Sequence, residues 1–96
     1  MPFIQCRALK NLFLALKIRE DIRYDLGIAD AYSKIGLAYF GQANYSEALK
    51  YYFKAQKIFE TIGNKDGAAV NLVYIGTTYR TLSDYTKALA YFLKAQ

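Results

Sequence analysis

The feature that most constrains this chain is an internal repeat with a period of 40 residues. Residues 27–56 and 67–96 are identical at twelve of thirty aligned positions. The same offset relates residues 8–22 to residues 48–62, with nine identities in fifteen positions. A chain with a period of roughly 20 to 50 residues folds as a stack of similar units, each burying its apolar face against its neighbours. The predicted units are the second helix of an incomplete repeat at residues 1–26, a full repeat at 27–66 and a nearly full repeat at 67–96.

Apolar residues within each unit have the spacing of two helices. Tyr32, Ile35 and Tyr39 follow the three- and four-residue steps that place side chains on one helical face. A second such stripe starts at Ala48, after a polar break at residues 41–44 that is typical of a turn. The predicted helices span residues 4–22, 27–41, 45–62, 67–82 and 85–96.

The connection between the first two predicted helices has a weaker turn signal than its counterpart 40 residues later. Gly-Asn at residues 63–64 is typical of a turn, whereas the equivalent residues 23–24 are Arg-Tyr. We predict a turn here because Gly27 keeps the register of Gly67. The alternative is one continuous helix through residues 4–41, which would place the first helix on another molecule as a domain swap.

These residues resemble the tetratricopeptide repeat. Its helix-turn-helix pattern has a large residue, a Leu-Gly pair and Tyr in the first helix, then Tyr, Ala, an aromatic residue and Ala in the second. The full repeat meets the pattern at Tyr32, Ile35, Gly36, Tyr39, Tyr45, Ala48, Tyr52 and Ala55. The last repeat meets it at Leu72, Ile75, Gly76, Tyr79, Tyr85, Ala88, Phe92 and Ala95. The period of 40 residues is similar to that of the family's longer-repeat subgroup.

The resemblance implies an all-α fold in which antiparallel helix-turn-helix repeats stack as a short right-handed superhelix of about five helices. Gly36 and Gly76 fall in the middle of predicted helices, where glycine costs about 1 kcal/mol relative to alanine. We therefore expect both glycines at close contacts between helices. In this family the first helices of successive repeats line a concave groove that binds a peptide or a partner helix.

The resemblance also indicates which residues line that groove. Apolar side chains such as Leu37 would anchor a ligand, and Lys34 and Arg80 would hold a carboxylate, so we expect a peptide with hydrophobic and some acidic side chains. The alternative is that these residues contact a neighbouring repeat or loop. The candidate groove residues are Asp30, Ser33, Lys34, Leu37, Phe40, Val70, Val73, Tyr74, Thr77 and Arg80.

The composition argues against catalysis and against metal or cofactor binding. The chain has no His, which excludes His-based proton transfer and His metal ligands. Its single cysteine, Cys6, excludes an internal disulfide and a thiolate zinc cluster. No phosphate-binding glycine loop is present. We predict that the chain is not an enzyme and binds no cofactor or metal.

Charge and hydropathy indicate a soluble protein. No secretory signal and no apolar run near the roughly 20 residues of a membrane span is present, so we predict a cytoplasmic location and no membrane partner. The net charge of +5 and the ten tyrosines superficially suit nucleic-acid binding. The repeat register assigns most of the tyrosines to helix packing, so nucleic acid is not a predicted partner.

Both ends of the repeat array lack the polar outer face that usually finishes such a stack. The first helix has leucine where later copies have Lys54 and Gln56, and the last ends with its apolar stripe open. We predict a protein-protein interaction scaffold, with a protein or peptide partner, that is a fragment of a longer signalling or assembly protein. The alternative is a homo-oligomer, a dimer formed through the end helices. The candidate self-association residues are Leu12, Leu14, Leu16, Leu89, Phe92 and Leu93.

Overall fold

The computed structural model describes the backbone of residues 6–96 and the side chains of residues 24–96. It consists of four helices in chain order, and residues 6–96 contain no strand. The all-α architecture expected from the repeat is therefore confirmed. The helices are α1 (Cys6–Gly41), α2 (Tyr45–Thr61), α3 (Lys65–Thr81) and α4 (Tyr85–Ala95).

The three turns between these helices are built alike. Each contains one residue with a positive φ, and the next residue caps the following helix with a side-chain oxygen that accepts a backbone N–H bond. The cap of α3 is the shortest, since Asn64 Oδ1 lies 2.8 Å from the backbone nitrogen of Gly67. The left-handed residues are Ala43, Gly63 and Ser83, and the capping residues are Asn44, Asn64 and Asp84.

α1 runs without interruption through residues 23–27, so the turn predicted there is wrong and the alternative of one continuous helix agrees with the structure. The described turns need a left-handed residue and a capping oxygen. Arg23 and Tyr24 supply neither, and Arg is a good helix former. Gly27 alone weakens a helix by only about 1 kcal/mol and does not end it. The described chain therefore has four helices rather than about five.

Consecutive helices pack against each other because the connecting turns are short. Ala48 and Tyr52 of α2 form one core cluster with Leu72 and Ile75 of α3. α1 also contacts α3, and a second cluster joins α1 and α2 through Ala29, Ala55 and Phe59. The second half of α1 and the whole of α3 therefore lie side by side over α2, as the first helices of successive repeats do.

The two mid-helix glycines lie where helices approach most closely, as expected. A Cβ atom built on Gly36 would come within 2.6 Å of the Tyr52 ring, and one on Gly76 within 2.7 Å of the Phe92 ring. Such separations are shorter than any van der Waals contact, so only glycine lets these aromatic rings lie against the helix backbone. The aromatic stripe is thus part of the packing between helices.

Candidate functional site

A cavity of about 700 Å³ lies between the second half of α1 and α3. α1 contributes residues at successive turns of one face, and α3 contributes the matching face from its first turn onward. Its other lining residues come from the end of α2 and the turn that follows. The lining residues are Leu26, Gly27, Asp30, Ser33, Lys34, Leu37, Phe59, Asn64, Asp66, Gly67, Val70, Asn71 and Tyr74.

Six of the ten candidate groove residues lie around this cavity: Asp30, Ser33, Lys34, Leu37, Val70 and Tyr74. The other four do not line it. Phe40 packs edge-on against Tyr45, with ring centroids 5.4 Å apart, and the Arg80 guanidinium lies over the Phe92 ring, 5.9 Å from its centroid. Val73 and Thr77 are on α3 but outside the cavity. The expected pairing of Lys34 and Arg80 in one groove is therefore not formed.

Sequence reasoning missed the end of the cavity nearest the turn between α2 and α3. This end is lined by Asn64, Asp66 and Gly67 together with Leu26 and Gly27 of α1. The signal was available, because residues 27 and 67 occupy the same position of the repeat. Neighbouring first helices bring equivalent positions side by side, so both glycines open the same end of the groove.

Asn71 lies at the bottom of the cavity and is 1% exposed. Its side-chain nitrogen donates to the Tyr52 carbonyl at 2.7 Å and to Gln56 Oε1 at 2.9 Å. Its oxygen accepts a hydrogen bond from the Ser33 hydroxyl at 2.7 Å. Every donor and acceptor of the buried amide is used, which fixes the orientation of the side chain. Ser33 and Asn71 therefore act as structural residues under the groove.

Three charged residues line the cavity, two acidic and one basic. The Lys34 ammonium forms an ion pair with Asp30, one turn earlier, at 3.1 Å. Both side chains are well exposed, so the pair contributes little to stability. Asp66, in the first turn of α3, forms no ion pair with any residue of the described side-chain range 24–96. The groove therefore has an acidic character around an apolar floor and wall.

α4 presents an apolar face to solvent. Tyr85, Leu89 and Leu93 follow four-residue steps, and both leucines are 59% exposed. Phe92 is half-buried and packs against Gly76, so it is part of the α3–α4 contact. Leu12, Leu14 and Leu16 lie outside the residues whose side chains the structure describes. The self-association residues therefore stay a prediction, now centred on Leu89 and Leu93 at this end.

Two tyrosines have pKa values displaced upward. Burial, with a smaller contribution from nearby Tyr74, raises the pKa of Tyr52 to about 12. Burial also raises the pKa of Tyr79, assisted by Tyr91. Both rings are held between helices, Tyr79 by stacking on Tyr91 at a centroid distance of 5.5 Å. These shifts follow from packing and indicate no proton-transfer role.

The described residues contain no cluster of three or more His, Cys, Asp and Glu side chains that could hold a metal ion. None of the described helices is long and apolar enough to cross a membrane. What the geometry offers is an apolar groove with a few charged groups at its rim.

A comparison with protein-family models matches residues 27–96 to the tetratricopeptide repeat. The match covers most of the chain, and together with the helix pairs and glycine contacts it shows that this chain belongs to the tetratricopeptide repeat family. Repeats of this family generally mediate protein-protein interaction. Comparisons with curated proteins and with solved structures gave no significant match.

Proposed function

We propose that this chain is a protein-interaction module that binds a peptide or a partner helix in the groove between α1 and α3. The observation that carries the proposal is the cavity of about 700 Å³, large enough for several side chains of a ligand. Its exposed apolar residues support the same reading, since Leu37 and Val70 are accessible in a structure that otherwise packs its aliphatic side chains.

The groove chemistry favours an apolar ligand with a basic rather than an acidic flank. Leu26, Leu37, Val70 and Tyr74 supply apolar contact area. The one basic residue of the lining is already paired with Asp30, whereas Asp66 forms no such pair among residues 24–96. A ligand with a lysine or arginine at the Asp66 end would therefore gain an ion pair that an acidic ligand would not. This reverses the acidic preference expected from Lys34 and Arg80.

The experiment is to select binding peptides from a random library displayed on phage, and to measure their affinities by fluorescence anisotropy. Val70→Asp, in the groove, should weaken binding of the selected peptides by about tenfold or more, because a carboxylate would replace a buried apolar contact. Val73→Asp is the matched control, since Val73 has the same residue type, the same helix and similar exposure but lies outside the cavity. Equal affinities for the two variants would refute binding in this groove.

Self-association is a second candidate function, favoured by the apolar end of the molecule. Tyr85, Leu89 and Leu93 form an exposed stripe on α4, and α1 carries exposed Ile35. Exposed apolar faces of this kind mark interaction sites in soluble proteins. Molar mass measured by light scattering over a range of concentrations should exceed the chain mass of 11.0 kDa. A value that stays at the chain mass at all concentrations would rule this candidate out.

A further inference from the structure

α1 carries an apolar face that residues 24–96 leave uncovered. Ile35 is 39% exposed, and its neighbours on this face, Ala31 and Ala38, are exposed as well. The residues at the same repeat positions of α3 are all buried, and Ile75 is 0% exposed. Those counterparts are Asn71, Ile75 and Thr78.

The helix that covers this face of α3 is α2. Ile75 belongs to one core cluster with Ala48 and Tyr52, and Asn71 is hydrogen-bonded to Gln56. In the repeat, the segment that stands to α1 as α2 stands to α3 is residues 8–22. The exposed face of α1 is therefore a contact surface whose expected partner is known from the sequence.

Residues 8–22 have the sequence of that partner, with nine of fifteen residues identical to those of residues 48–62. One difference is informative. Gln56 and Asn71 form a buried hydrogen bond of 2.9 Å, and the corresponding residues are Leu16 and Ala31. Replacing one partner alone would leave a buried amide unpaired, which costs about 1–3 kcal/mol. Both have been replaced together by apolar residues, as a contact between residues 8–22 and the Ile35 face requires.

The segment cannot reach this face within its own molecule. Leu16 and Ala31 belong to the same helix, α1, which runs from Cys6 to Gly41. Fifteen residues of helix separate them by about 22 Å along the axis, and both segments point along one line. A contact between them within one chain would require the turn at residues 23–27 that the structure does not have.

We infer that residues 8–22 of a second copy of this chain pack, antiparallel, on the Ala31–Ile35–Ala38 face, and that the exchange is reciprocal. The register is that of α2 on α3, which places Leu16 of the second copy beside Ala31 and its Leu12 beside Ile35. Reciprocity puts a two-fold axis near the middle of α1. The inference deepens and rests on the second candidate function, self-association, and it specifies the surface used.

Crosslinking tests the register directly. The full chain with Cys6→Ser, Leu16→Cys and Ala31→Cys is treated with a short bifunctional thiol crosslinker, and the products are separated by mass under denaturing conditions. The exchanged dimer predicts covalent dimers, because each Leu16→Cys lies beside Ala31→Cys of the other copy. The matched control replaces Ala31→Cys by Ala38→Cys, which lies on the same face about 10 Å further along the helix and should link much less.

The alternatives give different products. Crosslinks formed only within single chains would show that α1 folds back at residues 23–27, and would overturn the exchange. Equal linking of the two cysteine pairs, or none in either, would overturn it as well. If light scattering shows dimers while the Leu16–Ala31 pair fails to link, the inference is wrong but self-association stands, through another surface such as α4.

A second measurement does not depend on introduced cysteines. Ile35→Lys should weaken dimerisation by at least about tenfold, because it would bury an ammonium group in the apolar contact. Val73→Lys is the matched control, since Val73 is exposed to 42% against 39% for Ile35 and lies away from this face. Equal molar masses for the two variants across all concentrations, with helical circular dichroism retained, would contradict the inference.

Discussion

Asn71 of α3 and Gln56 of α2 share a buried hydrogen bond of 2.9 Å that joins two successive repeats. Asn71 also bonds to the Tyr52 carbonyl and to the Ser33 hydroxyl, so one side chain connects α1, α2 and α3. The network lies directly under the groove, at the point where the two first helices come together. The geometry of the candidate binding surface therefore depends on a polar contact as well as on apolar packing.

Removing the amide should be strongly destabilising. Asn71→Ala leaves the Tyr52 carbonyl and the Gln56 side chain without a partner in a site that water does not reach. We expect the free energy of unfolding to fall by about 2–3 kcal/mol, measured by urea denaturation followed by circular dichroism. A loss below about 0.5 kcal/mol would show that the network contributes little.

The first-repeat counterpart supplies a sharper version of this test. The double variant Asn71→Ala with Gln56→Leu reproduces the residue pair found at Ala31 and Leu16. We expect it to be more stable than Asn71→Ala alone, because leucine removes the orphaned amide and fills space. A double-mutant cycle in which the two substitutions are simply additive would contradict the contact.

Gly36→Ala should destabilise the chain although alanine is the better helix former. The added methyl would meet the buried Tyr52 ring at 2.6 Å and the Ala48 carbonyl oxygen at 3.1 Å. Overpacking of about 1–3 kcal/mol outweighs the gain of about 1 kcal/mol in helix propensity. Gly41→Ala is the control, since no described residue lies within 4 Å of its Cβ position. Thermal unfolding should show a lower midpoint for Gly36→Ala only.

The inter-helix turns offer a substitution in the opposite direction. Ala43 adopts a φ of 61°, which costs an L-residue about 1–2 kcal/mol relative to the right-handed region. Ala43→Gly should therefore raise the free energy of unfolding by about 0.5–1 kcal/mol after the loss of chain entropy. The reverse change at the equivalent turn, Gly63→Ala with a φ of 72°, should lower it by about 1 kcal/mol. Effects of the same sign at both sites in urea denaturation would contradict this account.

Stability should fall at alkaline pH because of Tyr52. Its pKa is raised from an ordinary value near 10 to about 12 by burial. Between these values the unfolded state has released the phenolic proton and the folded state has not, so stability decreases as pH rises. The slope for this group is at most about 1.4 kcal/mol per pH unit, and below pH 10 it contributes no pH dependence.

Tyr52→Phe should flatten the stability profile between pH 10 and about 12, the two values that bracket the shift. Tyr85→Phe is the control, because Tyr85 is 66% exposed. Unfolding by urea at a series of pH values gives both profiles. Identical slopes for the two variants would show that Tyr52 ionises in the folded state as it does in the unfolded chain.

The sequence predicted the helices of residues 45–96 nearly to the residue, because each helix carries an apolar stripe and is preceded by a capping Asn or Asp. It also predicted the close contacts at Gly36 and Gly76. It did not predict where Arg80 points. That side chain lies over Phe92, a choice between two neighbours that depends on the packing of α4 against α3.

Periodicity by itself determined the family, the pairing of helices and the position of the groove, since a repeated apolar pattern can be buried only by stacking similar units. Tertiary structure alone decided two matters. It showed which candidate residues meet in one cavity, because this depends on side-chain rotation about each helix. It also decided that α1 is continuous at residues 23–27, where one glycine without a left-handed residue or a cap is a weak local signal that helix propagation overrides.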